Sequence, residues 1–114
     1  MIICTKFKFD SAHKLLNYKG KCAKLHGHTY LLYICIQGDV AENGMVFDFV
    51  EMKHIVDTKI ISQLDHQYLN EIIKQPTAEN ISIWIWNQLK GVLPLSEIKL
   101  WETPDNYVIY NGNR

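Results

Sequence analysis

Residues 2–10 alternate in polarity: Ile3, Phe7 and Phe9 share one parity, with Thr5 among them, while Lys6, Lys8 and Asp10 take the other. Neighbouring side chains of a strand face opposite sides, so this pattern predicts a half-buried strand. Residues 25–37 form a longer extended run, rich in Tyr, Leu and Ile on both parities. A strand apolar on both faces is usually covered twice. Helices could supply one cover and a partner subunit the other. The stretch between, 14–24, is polar and lysine-rich and reads as a loop. Gly38-Asp39 and Asn43-Gly44 are turn signals.

Asp48 followed by Glu51 resembles a capping box with Asp as the cap. The segment after it, 49–63, has helical spacing at Val50, Ile55, Val56, Ile60 and Leu64. Residues 65–76 look irregular. Thr77 is a plausible N-cap for a second helix, with Glu79 favourable in its first turn. Its apolar set is Ile81, Trp84, Ile85 and Leu89, and Gly91 and Pro94 end it. Residues 97–103 alternate again, Pro104-Asp105-Asn106 turns the chain, and 107–111 make a last short strand. Two strands, two helices, two strands predict an α+β domain with an antiparallel sheet.

Composition narrows the function classes. The chain has 114 residues, 12 basic and 12 acidic, which fits one domain over residues 1–114. Zero net charge excludes nucleic acid and anionic membrane as bulk partners. No apolar run is long enough to span a membrane, and the N-terminus lacks a secretory pattern. Three cysteines at irregular spacing argue against a disulfide framework, and a reducing, cytoplasmic setting is the expectation. Cys4 and Cys35 read as small core residues.

Five histidines are many for so modest a core. His26-Gly27-His28 is the most specific local feature. Residues i and i+2 of a strand share a face, so the two imidazoles can converge on one ion, with His13 brought alongside from just past the first strand. Three neutral imidazoles with an open fourth position suit catalytic zinc. The bland alternative is a pair of hydrogen-bonded strand histidines. Cys22 is flanked by Lys21 and Lys24, which could lower a thiol pKa and expose a thiolate; on sequence alone, a lone cysteine is more often inert than catalytic. Asp65-His66 is an adjacent acid–imidazole pair that needs a bend to face itself. Glu102 shares the parity of Ile98 and Leu100: either it is buried with partners, or the strand has ended and it is solvated. Thr77 and Glu79 are accounted for by helix-start chemistry alone. His54, mid-helix, reads as structural or surface.

Taken in order, Phe9-Asp10-Ser11-Ala12-His13, Cys22-Ala23-Lys24-Leu25-His26-Gly27-His28, Val46-Phe47-Asp48-Phe49, Leu64-Asp65-His66, Pro76-Thr77-Ala78-Glu79-Asn80 and Glu102-Thr103-Pro104 resemble the motif series of the 6-pyruvoyl-tetrahydropterin synthase family. The resemblance covers nearly the whole chain. The short Cys22-to-His26 spacing resembles the branch that forms 6-carboxy-5,6,7,8-tetrahydropterin in queuosine (7-deazaguanine) biosynthesis. Cys22 stands where a related dihydroneopterin-cleaving group carries glutamate.

The resemblance implies the tunnelling fold: a four-stranded antiparallel sheet with two helices on one face, in trimers or stacked hexamers with sites at subunit interfaces. It implies one zinc per subunit on His13, His26 and His28, and 7,8-dihydroneopterin triphosphate as substrate. It implies Cys22 and His66, oriented by Asp65, as acid–base groups. Glu102 would anchor the pterin, with Thr77 and Glu79 lining the same pocket. Lys14, Lys21 and Lys24 are candidates for the triphosphate. Two alternatives are a pyruvoyl-forming synthase, which does not cleave the side chain, and a non-catalytic zinc- or pterin-binding module.

Overall fold

The structure, a computed structural model, describes residues 1–113 apart from the side chain of Cys22. Two long strands, β1 (Ile2–His13) and β2 (His26–Gln37), form an antiparallel hairpin. The covered face of β1 carries Phe7, Phe9, Ser11 and His13, all buried, and β2 sets Leu32, Tyr30, His28 and His26 opposite them. The predicted alternation therefore continues past residue 10. His13 is the last residue of β1 rather than a residue beyond it, because the register with His26 holds the strand together that far.

Asp48 caps α1 (Phe49–Val56) by accepting the Val50 N–H at 2.9 Å. The helix continues through a π-helical stretch, Asp57–Ile61, into a last turn, α2 (Ser62–Leu64). Met52, Val56, Ile60 and Leu64 are buried at a spacing of four, so the apolar face survives the change of helix type. Ser11 fastens the end of this segment by donating its hydroxyl to the Leu64 carbonyl. Thr77 caps α3 (Ala78–Leu89) by accepting the Asn80 N–H at 3.1 Å. Ile81, Ile85 and Leu89 of α3 join the helices and the covered sheet face in one core.

The sheet departs from the expected four antiparallel strands. It has five, in the order β3–β1–β2–β4–β5, and it is mixed. The addition is β3 (Gln67–Tyr68), which pairs in parallel with Ser11 and Ala12 of β1. A two-residue strand has no periodicity to read, so the irregular segment concealed it. β4 (Leu95–Trp101) and β5 (Tyr107–Tyr110) complete the sheet. Glu102 lies one residue past β4, its N–H closing the turn on the Asn106 carbonyl.

Cys4 and Cys35 are a second correction. They are direct cross-strand partners, with Cα atoms 4.1 Å apart, and form a disulfide. Hairpin register brings together residues 31 apart in the chain, which their spacing does not reveal. Among the described residues, no helix is long and apolar enough to cross a membrane.

Candidate active site

The covered face changes character toward the His13 end of the sheet. There the two central strands carry His13, His26 and His28 on the parity that elsewhere holds Phe7, Leu32 and Ile34. The three rings are 4.6–5.0 Å apart, edge to face. One nitrogen from each lies within 4.8 Å of the others, so the cluster could hold a metal ion. Glu102 joins them: its Oε1 is 3.2 Å from His13 Nε2 and 3.3 Å from His28 Nε2.

Hydrogen bonding settles which lone pairs face inward. His13 Nδ1 is 2.7 Å from the Pro76 carbonyl, and His26 Nδ1 is 2.7 Å from the Lys24 carbonyl. A carbonyl only accepts, so both Nδ1 atoms carry the proton and donate. In the neutral rings this leaves an Nε2 lone pair on each, 3.0 Å apart. His28 Nε2 is buried with no hydrogen-bond partner among the described residues; its approach to Glu102 is close but poorly aligned. Electron-rich atoms converging in this way need protons or a cation between them. A borderline-soft divalent ion that favours imidazole fits the donor set, with the two backbone carbonyls acting as the outer partners that orient such ligands.

Titration follows the same geometry. Burial alone would push His13 down, but the hydrogen bond to Glu102, the Pro76 carbonyl and the Glu102 charge together raise it above the ordinary histidine value. His28 is lowered, chiefly by burial; the Glu102 charge opposes this, and the other two histidines add to it. The His13 hydrogen bond holds Glu102 below the usual carboxylate value against the effect of burial, and the histidine charges assist. Tyr30, stacked on Phe9 beneath the cluster, is pushed far up by burial.

Asp65 and His66 occupy the opposite edge of β1. The bend that an adjacent pair requires is at His66, whose φ is +58°. The ring turns back so that Nδ1 lies 3.0 Å from Asp65 Oδ1. Asp65 Oδ1 also accepts the Asp10 N–H at 2.9 Å, and the His66 N–H returns to the Asp10 carbonyl at 2.6 Å. The Asp10 N–H is the largest cause of Asp65 being held below its ordinary value, with His66 assisting. His66 and His28 line one cleft of about 590 Å³, together with Ala12 and Gly27. A second cleft of about 550 Å³ joins His28 to Glu102, Lys8 and Trp101.

Other expected residues are not gathered there. Thr77 caps α3 and Glu79 is exposed in its first turn; neither lines these two clefts. Lys14 lines a separate groove with Tyr18 and Ala23. His54 is exposed on α1. The backbone of Cys22 lies in the 3₁₀ turn Lys21–Ala23, and its side chain lies outside the described residues. Sequence reading missed the Pro76 and Lys24 carbonyls and the Asp10 backbone. A backbone group carries no residue signature, so only the register could have revealed them.

Residues 2–113 match the family model described as 6-pyruvoyl tetrahydropterin synthase. The 6-pyruvoyl tetrahydrobiopterin synthase of Dictyostelium discoideum is 36% identical, over 98% of this chain and 96% of its own length. The 6-carboxy-5,6,7,8-tetrahydropterin synthase of Haemophilus influenzae is 38% identical, over 95% of this chain and 96% of its own. The solved structure of the Caenorhabditis elegans 6-pyruvoyl tetrahydropterin synthase superposes with a TM-score of 0.89 at 26% identity, covering 99% of this chain and 96% of that one. The chain belongs to the 6-pyruvoyl tetrahydropterin synthase family.

Proposed function

We propose that this chain converts 7,8-dihydroneopterin triphosphate into 6-carboxy-5,6,7,8-tetrahydropterin, releasing acetaldehyde and triphosphate, as a step toward queuosine. The observation that carries the reading is the convergence of His13, His26 and His28 beside Glu102, with His66 across a shared cleft. The relative from Haemophilus influenzae bears the name of this activity.

His13, His26 and His28 would hold zinc, one per subunit. A metal bound there supplies Lewis-acid polarisation of the substrate's side-chain hydroxyls. Glu102 is charged and beside the centre, so it can accept two N–H groups from the edge of a pterin ring. Asp65 holds the Nδ1–H of His66, leaving Nε2 to move a proton on the substrate side chain. Cys22, as thiolate, would be the second base. Elimination releases triphosphate, and proton shifts move two electrons from the side chain into the dihydropterin ring. Water then adds at the side-chain carbon next to the ring, whose bond to the following carbon breaks. The carboxylate stays on the pterin and the outer two carbons leave as acetaldehyde. Thr77 and Glu79 would line the pocket from a neighbouring subunit of a trimer or hexamer in the cytoplasm.

The names borne by the Dictyostelium and Caenorhabditis proteins favour a second reading, the pyruvoyl-forming reaction without side-chain cleavage. Incubating the zinc-loaded protein with dihydroneopterin triphosphate separates the two. Acetaldehyde with 6-carboxytetrahydropterin is expected. A pyruvoyl product without acetaldehyde establishes the second reading. Zinc and pterin binding without any product would leave a binding module.

A further inference from the structure

The edge of β1 that faces away from β2 is a row of backbone groups needing partners. Segment 65–76 supplies them one alternate residue at a time. Asp10 is met by the Asp65 carboxylate and the His66 N–H, and Ala12 pairs with Tyr68. Beyond the strand, side chains take over from backbone. Lys14 donates its N–H to Asn70 Oδ1 at 3.0 Å and accepts Asn70 Nδ2 on its carbonyl at 2.9 Å. Gln75 holds Leu16 in the same manner, at 2.8 Å through Oε1 and 2.9 Å through Nε2. Each amide matches one N–H and one C=O of a single residue, so only one orientation of each side chain satisfies both. The next residue, Pro76, presents its carbonyl to His13 Nδ1 at 2.7 Å. His13 is thus held twice by one segment, through its own ring and through the chain immediately after it.

We propose that Asn70 and Gln75 are positioning residues of the three-histidine centre. By clamping residues 14–16 onto 70–75, they hold the Pro76 carbonyl where it aims the Nε2 atom of His13 at the other two rings. The inference rests on the reading that these histidines hold a metal. The clamp lies at the surface, where water can replace its bonds, so its loss affects the aim of His13 more than the stability of the core.

The test uses the full chain and zinc alone, in competition with a chromogenic chelator, beside backbone hydrogen exchange. Asn70→Ala/Gln75→Ala is expected to bind zinc about 10–100-fold more weakly than the wild type, the range for loss of outer partners of metal ligands. The Lys14 and Leu16 amides should exchange faster, while those of Leu32 and Ile85 keep their protection. If the double variant does not fold, Asn70→Ala alone makes the same comparison. Affinity within about twofold of the wild type overturns the positioning role, even with faster exchange at 14 and 16. A wild-type chain that takes up no zinc overturns the metal reading, an outcome distinct from a variant that binds as well as the wild type.

Discussion

Two carboxylate–imidazole groupings flank the same end of β1. In one, Glu102 lies 3.2–3.3 Å from His13 and His28, with His13 fully buried and Glu102 26% exposed. In the other, Asp65 lies 3.0 Å from His66, and His66 is 78% exposed. The contacts are nearly equal in length, but the surroundings differ. Burial removes much of the water that would satisfy the inward-facing nitrogens of the first group, so this cluster could hold a metal ion. Solvent screens the second pair, so its attraction contributes little to stability. What Asp65 provides is direction: it holds Nδ1 and leaves Nε2 open to exchange protons.

The strongest way to break this contrast is His28→Ala, which removes the ring whose buried Nε2 has no hydrogen-bond partner among the described residues. Zinc content should fall well below one per chain and turnover should vanish, while circular dichroism stays native. Retained zinc would show that the buried group is not the metal centre. His66→Ala should do the reverse, keeping zinc while turnover falls by about 10²–10⁴-fold, the usual worth of a general acid or base. Metal analysis beside the product assay checks both halves.

Glu102→Gln keeps the shape and loses the charge. A charge-assisted hydrogen bond is worth about 1.5–3 kcal/mol, so pterin binding measured by calorimetry should weaken roughly 10- to 150-fold.

Acidity sharpens the contrast further. His13 is raised in the metal-free chain, so it takes a proton early as pH falls and zinc affinity drops, by about tenfold per pH unit for each proton displaced. The metal-free fold follows the opposite sign. Stability from the raised His13 is fully present below its unfolded value and is lost as pH rises through its folded value. Stability from the lowered Glu102 is present above its unfolded value and is lost as pH falls through its folded value. Chelator-treated protein should therefore be helped by this pair only in the window between those two folded values. Chemical denaturation across that range checks it. The smallest effect is expected from Asp65→Asn: an unchanged unfolding midpoint and a turnover loss smaller than that of His66→Ala.

Much of the fold was legible because its signals are local. The alternation of Ile3, Phe7 and Phe9 and the caps at Asp48 and Thr77 depend on residues a few positions apart. Where partners lie far along the chain, local signals stop short. The alternation predicts a first strand that stops at Asp10, three residues short, because nothing near Asp10 announces that Ser11, Ala12 and His13 pair with residues 26–28. β3 escapes such signals because it is two residues long, and the rest of its segment bonds to residues 10–16 through the side chains of Asp65, Asn70 and Gln75, whose identity in a loop suggests only polarity. Cys4 and Cys35 read as separate core residues for the same reason of distance.

By itself, the sequence determined which groups are present and which share a strand face: two imidazoles at i and i+2, a carboxylate on an apolar parity, and an acid beside an imidazole. Those follow from chain geometry alone. Only the tertiary structure decided which lone pairs point inward and which contacts lie out of water. Both depend on the Pro76 and Lys24 carbonyls and on the left-handed turn at His66, whose placement comes from strand register and packing. Register sums weak pairings along the whole hairpin, and no short stretch of residues contains it.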